Sequence, residues 1–119
     1  MYFELLSEEN YNLLVPELDL LTEEIVLEVD EQLRDGLLEA PFLIISAQHI
    51  VVIEKDAYFQ LRELHQLLQS AGGTMLFTEC NPTIGNEIEQ LDFEVIESLD
   101  QAIDKVDEIV LNQDIDEEF

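Results

Sequence analysis

Three side chains in the sequence could bind a metal ion or act as a nucleophile: His49, His65 and Cys80. Imidazole nitrogens and thiolates are common zinc ligands, but zinc sites usually place their ligands in short, regular pairs along the chain. These three residues match no such spacing. A reactive cysteine also needs an electropositive environment, which so acidic a chain does not offer to Cys80. We therefore expect no metal site, and we interpret His65 and Cys80 as structural residues.

Carboxylates in the sequence do not form a recognisable catalytic or calcium-binding pattern. A phosphoacceptor domain needs an aspartate at the end of a central strand, and Ser46 follows the apolar run 42–45 instead. The acidic cluster at residues 114–118 lacks the turn glycine and ligand spacing of a calcium loop. We find neither a Gly-rich phosphate loop nor a Ser-His-Asp arrangement. We therefore expect a protein without enzyme activity and without a cofactor.

Charge is the most unusual global property of the chain. Four basic residues stand against 29 acidic ones, and the formal net charge is −25. Such a surface repels phosphate backbones and anionic lipid, so we exclude nucleic-acid binding and direct membrane binding. The same surface attracts basic protein partners. Adaptation to a salt-rich environment is an alternative explanation for the acidity, and it stays open at this point.

Length and composition indicate one cytoplasmic domain. The chain has 119 residues, of which 47% are hydrophobic, enough for one packed core. Its longest apolar stretch, residues 41–53, is interrupted by polar side chains and is too short to span a membrane. Residues 1–4 lack the basic start of a signal peptide, and a single cysteine cannot form an internal disulfide.

Hydrophobic periodicity predicts alternating strands and helices. Strands are predicted at 2–6, 11–15, 42–45, 74–78 and 93–96, and helices at 23–38, 56–70, 81–91 and 98–111. Thr22 and Asn81 are suitable N-cap residues, and Ser98 with Gln101 forms a capping box. Alternation of this kind favours an α/β domain with a mixed sheet and four helices packed against it. We assign residues 1–111 to this domain and 112–119 to an acidic C-terminal tail.

The second predicted helix carries an unusual aromatic residue. Its apolar face consists of Ala57, Leu61, Leu64 and Leu68. Phe59 projects about 160° away from Leu61, at about 100° per residue, and therefore lies on the outer face. Either neighbouring loops cover this phenylalanine or it is an anchor for a binding partner. We favour the anchor.

Several segments together resemble the STAS family of anti-sigma-factor antagonists. Glu17-Leu18-Asp19 and Thr22 match the family's Gly-Glu-Leu-Asp-x-x-Thr signature, with Pro16 in place of the glycine. Residues 42–46 resemble the central strand, and the Ile50-x-x-Ile53 spacing resembles the approach to the phosphorylation loop. The helix 58–68, the following Ala71-Gly72-Gly73 and Asn81-Pro82 also keep the family's order. The resemblance covers roughly residues 2–110 and implies the STAS fold.

The phosphorylation motif of the family is altered in this chain. Family members that act as phospho-switches carry Asp-Ser-Ser/Thr-Gly at the head of the second helix. In this chain the residues that correspond to the motif are Glu54-Lys55-Asp56-Ala57. Lys55 replaces the acceptor hydroxyl, and an ammonium group cannot accept a phosphate from a serine kinase. The resemblance thus implies a partner-binding fold without its switch residue.

These observations predict a regulatory protein-interaction module that resembles an anti-sigma-factor antagonist. Its partner would be a protein of the anti-sigma-factor or serine-kinase type. We predict that the partner contacts five residues around the head of the second helix: Ile53, Lys55, Asp56, Phe59 and Arg62. The alternative is a soluble STAS subunit that regulates a membrane transport complex, as in phospholipid ABC systems. The sequence leaves the identity of the partner and the oligomeric state open.

Overall fold

A computed structural model describes residues 3–34 and 40–117 of the chain, with side chains as far as residue 112. This part of the chain contains the strands β1 (Phe3–Ser7), β2 (Asn12–Pro16), β3 (Leu20–Leu21), β4 (Phe42–Ser46), β5 (Val52–Ile53), β6 (Thr74–Thr78) and β7 (Glu94–Ile96). Its helices are α1 (Glu23–Arg34), α2 (Lys55–Ser70), α3 (Pro82–Gln90) and α4 (Leu99–Glu117).

Five of the strands form one mixed sheet in the order β1-β2-β4-β6-β7. β1 and β2 are antiparallel neighbours, whereas β2, β4, β6 and β7 run parallel to one another. Parallel neighbours need a crossover connection, and the helices between these strands provide it. The predicted α/β fold, a mixed sheet with four helices, is confirmed.

Helices cover both faces of this sheet. All five residues of the central strand β4 are buried. Leu43 and Ile45 belong to the larger hydrophobic core, which includes residues of α1, α2 and α3. Phe42 and Ile44 belong to a second core with residues of α4. Because side chains alternate along a strand, this division places α4 on the opposite face of the sheet from the other three described helices. The prediction of a strand buried on both faces is confirmed.

Three helices begin at the predicted cap residues, where a side-chain oxygen accepts a backbone N–H of the first turn. The pairs are Ile25 N to Thr22 Oγ1 at 3.3 Å, Ile84 N to Asn81 Oδ1 at 2.9 Å and Gln101 N to Ser98 Oγ at 3.3 Å. Each bond satisfies an N–H group that the helix itself cannot pair. Local sequence is sufficient for these boundaries.

Other boundaries differ from the prediction. α1 is described as far as Arg34, and the rest of the predicted helix lies outside the described residues. α2 starts at Lys55, one residue earlier than predicted. α4 continues to Glu117 instead of ending near Leu111. Residues 112–117 contain no glycine or proline to stop a helix, so most of the predicted tail is helical.

Strands β3 and β5 were not predicted. They form a separate parallel pair in which Leu20 is the partner of Val52 and Leu21 the partner of Ile53. Two residues are too few to show a strand periodicity. This pair has a structural consequence, because β3 leads into α1 and β5 leads into α2.

Candidate functional site

The N-terminal ends of α1 and α2 lie side by side, because the segments before them pair as β3 and β5. The Glu54 backbone N–H donates to the Leu21 carbonyl oxygen at 2.9 Å. The Glu23 backbone N–H, at the start of α1, donates to Glu54 Oε1 at 3.3 Å. Glu54 thus joins the two helix heads through both its backbone and its carboxylate. Its negative charge suits the partial positive charge at the start of a helix.

Backbone hydrogen bonds also hold the loop before α2. The N–H groups of Val51 and Val52 donate to the Asp19 carbonyl oxygen at 2.7 and 3.0 Å. Asn81 Nδ2 donates to the Ile50 carbonyl oxygen at 3.2 Å. The side chains of Val51 and Val52 remain 61% and 54% exposed. A loop that is fixed by its backbone and exposes apolar side chains can provide a preformed contact surface.

The segment predicted to correspond to the phosphorylation motif, residues 54–57, lies at the start of α2. Glu54 is the N-cap residue, with extended backbone angles (φ −62°, ψ 140°) and no side-chain hydrogen bond to its own helix. Lys55 and Asp56 are the first two helical residues, and both are exposed. Ala57 is fully buried in the main core. Lys55, the predicted counterpart of the family's acceptor hydroxyl, is therefore a surface residue in the first turn of a helix.

The structure places four of the five predicted partner-binding residues on the surface. Lys55, Asp56 and Arg62 are exposed, and Phe59 is 60% exposed. Ile53 must be removed from this surface, because its side chain is only 5% exposed and belongs to the main core. The pairing of β5 with β3 explains this correction: alternation along β5 directs Val52 outward and Ile53 inward.

A groove separates α2 from α3. Its volume is about 430 Å³, and its walls consist of Lys55, Tyr58, Phe59 and Arg62 from α2 and Glu87, Gln90 and Leu91 from α3 and its C-cap. We call this site the α2–α3 groove. Three predicted partner-binding residues lie together here, whereas Asp56 does not line the groove.

Sequence reasoning missed the α3 wall of the groove and Tyr58. Tyr58 is adjacent to Phe59 and could have been found from the helical spacing of Lys55, Tyr58 and Arg62. The α3 residues Glu87, Gln90 and Leu91 also follow a helical spacing. However, periodicity within α3 does not reveal that this stripe faces α2.

The distribution of ion pairs distinguishes the groove from the rest of the surface. Arg34 pairs with Asp30 at 3.2 Å, and Lys105 pairs with Glu94. Lys55 and Arg62 form no ion pair with any described residue. Both cations of the α2–α3 groove are therefore available to a ligand.

Tyr58 adds a polar group to the groove wall. Its hydroxyl oxygen is buried and makes no hydrogen bond of normal geometry with the described residues. Burial, together with the neighbouring Glu87 carboxylate, raises the pKa of Tyr58 above its ordinary value. The Tyr58 hydroxyl group can donate a hydrogen bond to a ligand.

His65 and Cys80 are both partly buried. The His65 ring lies 5.7 Å from the Phe93 ring centroid, its Nε2 is 3.4 Å from Thr74 Oγ1, and burial lowers its pKa. Burial, followed by the charges of Glu89 and Glu79, raises the pKa of Cys80 to about 11. In the described part of the chain, no group of three His, Cys, Asp or Glu side chains is arranged to hold a metal ion.

Within residues 3–34 and 40–117, none of the helices combines the length and the apolar character needed to cross a bilayer. No protein-family model matches the sequence, and no curated protein does.

Solved structures match the chain in fold. The anti-sigma factor antagonist SpoIIAA in its unphosphorylated form is 13% identical, with a TM-score of 0.70 over 87% of this chain and 96% of that chain. A variant of RsbS from Moorella thermoacetica is 16% identical, with a TM-score of 0.72 over 92% of this chain and 98% of that chain. The murine anion transporter Slc26a9 is 12% identical, with a TM-score of 0.68 over 85% of this chain and 18% of that chain.

At such low identities the likeness concerns the fold. The chain has the fold of the STAS-domain anti-sigma-factor antagonists, so the resemblance seen in its sequence is confirmed at the level of structure.

Proposed function

We propose that this protein is a regulatory protein-interaction module, similar to an anti-sigma-factor antagonist, that binds its partner without being phosphorylated at the head of α2. The observation that carries the proposal is the first two turns of α2. They present Lys55, Phe59 and Arg62 on the surface, and the sequence resemblance implies that Lys55 stands in place of the family's acceptor hydroxyl. The fold supports a regulatory role, and the site supplies a contact surface.

A preformed backbone scaffold under this surface supports its binding role. Glu54 ties the head of α2 to α1, and the preceding loop is bonded to Asp19 and Asn81. A partner therefore meets a contact surface whose backbone needs little ordering, which lowers the entropic cost of association. Phe59 is the large apolar side chain at its centre, and aromatic residues in such positions commonly contribute about 2 kcal/mol or more to binding.

The partner we propose is a protein of the anti-sigma-factor or serine-kinase type with a largely basic surface. A net charge of −25 accelerates encounter with basic proteins and repels nucleic acid. Binding would take place in the cytoplasm and would need neither a cofactor nor a metal ion.

Binding to the anti-sigma factors and serine kinases of the source organism tests the proposal. Isothermal titration calorimetry should detect one binding partner among them, and Phe59→Ala should weaken its affinity at least about tenfold. Leu111→Ala is the matched control, because Leu111 is also 60% exposed but lies on α4. If no such protein binds, or if both variants weaken binding equally, the proposal is wrong.

Phosphorylation provides a second test of the same proposal. Incubation with ATP and the bound kinase, followed by peptide mass spectrometry, should find no phosphate between Ile53 and Phe59. Lys55→Ser restores a hydroxyl at the helix start and is expected to create an acceptor. Phosphate on the wild-type segment would contradict binding without a covalent switch.

A second candidate function is regulation of a membrane transport complex, of which this chain would be a soluble subunit. The likeness to part of the anion transporter Slc26a9 favours this candidate, because it places the same fold within a transport protein. Affinity purification from solubilised membranes separates the two functions. Recovery of an ATPase and a permease, with no kinase or anti-sigma factor, would favour the transport role.

A further inference from the structure

Two cations in this acidic protein form no ion pair with any residue that the structure describes. The chain contains four basic and 29 acidic residues. Arg34 and Lys105 each pair with a carboxylate, whereas Lys55 and Arg62 pair with none of the described residues. Both unpaired cations line the α2–α3 groove. In a chain with so many carboxylates, two such cations on the α2 wall mark that wall as a place where carboxylates of a ligand can bind.

The positions of these two cations define how far apart two carboxylates of a bound ligand would lie. Lys55 and Arg62 are seven residues apart on α2, about 10 Å along the axis at 1.5 Å per residue. Phe59 lies between them on the same side of the helix, four residues after Lys55 and three before Arg62. The α2 wall thus presents a cation, an aromatic ring and a second cation in a line.

The opposite wall differs in character. Glu87 and Gln90 provide a carboxylate and an amide, and Leu91 adds an apolar contact. A ligand in the α2–α3 groove therefore meets positive charge on the α2 side and negative or neutral polar groups on the α3 side. Such an arrangement orients an elongated ligand around its long axis.

A helix of a partner protein fits this groove better than the other possible ligands. Small molecules usually bury 70–90% of their surface on binding, and a groove whose aromatic wall is 60% exposed encloses too little. A second copy of this chain carries the same charge of −25 and would be repelled. An amphipathic helix laid between two helices is an established recognition mode, with anchors at helical spacing.

We propose that the α2–α3 groove binds an amphipathic helix of the partner that carries two carboxylates seven residues apart with a large apolar side chain between them. The carboxylates pair with Lys55 and Arg62, and the apolar side chain packs on Phe59 and Leu91. This inference deepens the proposed function and depends on it. Most of the affinity comes from the apolar contact, because exposed ion pairs contribute little individually, and the charges determine which helix binds.

Three synthetic helical peptides of equal length test the proposal. The first has two glutamates seven positions apart with a phenylalanine between them, in a background of alanine, glutamine and lysine. The second replaces both glutamates by lysine, and the third replaces the phenylalanine by alanine. Fluorescence anisotropy should show the first peptide binding more tightly than the second and at least about tenfold more tightly than the third. General attraction to an acidic protein would favour the second peptide, so the expected order cannot arise from net charge.

Matched variants test whether the peptides bind in the α2–α3 groove. Lys55→Glu/Arg62→Glu should reverse the preference, so that the lysine peptide binds more tightly than the glutamate peptide. Arg34→Glu/Lys105→Glu has the same net charge and should keep the wild-type preference. Should this control fail to fold, as judged from circular dichroism, the single variants Arg62→Glu and Arg34→Glu form the matched pair. Equal changes in both members of a pair would overturn the proposal.

The natural partner separates a failure of this inference from a failure of the proposed function. If Phe59→Ala weakens partner binding but Lys55→Glu/Arg62→Glu does not, the acidic-helix inference is overturned and the interaction module stands. If the glutamate peptide binds no more tightly than the lysine peptide, the inference is likewise overturned. If neither variant affects partner binding, both proposals are wrong.

Discussion

Glu54→Ala removes the carboxylate that joins the heads of α1 and α2. In the folded protein, Glu54 Oε1 accepts the Glu23 N–H at 3.3 Å. That N–H belongs to the first turn of α1, where the helix offers it no partner. The carboxylate also lies at the N-cap position of α2. One substitution therefore removes a hydrogen bond and a favourable charge at two helix ends.

The expected cost is about 1–2 kcal/mol of the free energy of unfolding. Loss of a capping side chain costs about 0.5–2 kcal/mol, and the long 3.3 Å bond favours the lower half of that range. Loss of a negative charge near a helix start costs about 0.3–1 kcal/mol. Glu54→Gln keeps an acceptor oxygen and should lose only the charge contribution.

Asp56→Ala is the matched control for this substitution. Asp56 is an exposed carboxylate in the first turn of α2 and makes no side-chain hydrogen bond with the described residues. The two alanine variants change the net charge equally, so relief of self-repulsion cancels in the comparison. Asp56→Ala should lose only the charge contribution to the α2 head.

Urea unfolding monitored by circular dichroism measures these differences, provided that the slope of the transition stays constant. The expected order of stability is wild type, then Asp56→Ala and Glu54→Gln close together, then Glu54→Ala. If Glu54→Ala and Asp56→Ala lose the same stability, the Glu54 carboxylate does not hold the two helices together, and the preformed backbone scaffold proposed above is wrong.

Three further predictions concern titration, reactivity and salt. Burial lowers the pKa of His65 in the folded state, so the contribution of His65 to stability is complete above the ordinary pKa of 6.5 and is lost as the pH falls. Between pH 7 and about 5, the urea midpoint of His65→Gln should therefore decrease less than that of the wild type. A pKa of about 11 leaves Cys80 with at least about a hundredfold less thiolate than a free cysteine. A thiol reagent should therefore react far more slowly with the native protein than with the urea-unfolded protein, and similar rates would contradict the burial of Cys80. If the acidity is a salt adaptation, the melting temperature should rise markedly from low to about 1 M salt, and a constant value would leave partner attraction as the better explanation.

Local patterns were sufficient to predict most of the fold. The apolar spacing on α2 predicts the buried face that the structure shows, with Ala57, Leu61 and Leu68 at most 1% exposed. The same spacing predicts that Phe59 lies outside the core, and this is confirmed. Thr22 and Asn81 begin their helices because a cap bond involves only residues within one turn.

The site was less predictable because its residues depend on contacts between distant segments. Ile53 was expected on the surface, since nothing in a two-residue strand reveals its pairing with β3. The opposite wall of the α2–α3 groove, at Glu87 and Leu91, is about thirty residues away in the sequence and becomes visible only when α3 lies beside α2. That Lys55 and Arg62 pair with none of the described carboxylates is likewise a property of the folded surface, since counting charges does not show which carboxylates reach which cations.

In the proposed complex, the acidity of the whole chain and the two cations of the α2–α3 groove act at different stages of binding. Screening at physiological salt, with a Debye length of about 8 Å, weakens both, but the summed field of the whole acidic surface exceeds that of two cations away from contact. We therefore expect the net charge of −25 to favour a basic protein during encounter, and Lys55 and Arg62 to favour carboxylates at contact. A uniformly basic protein would approach quickly but would place cations against cations in the groove. A uniformly acidic protein would suit the groove but would be repelled before reaching it. Only a basic protein with an acidic docking helix satisfies both conditions, so the two opposite charge patterns together restrict the partner more than either does alone.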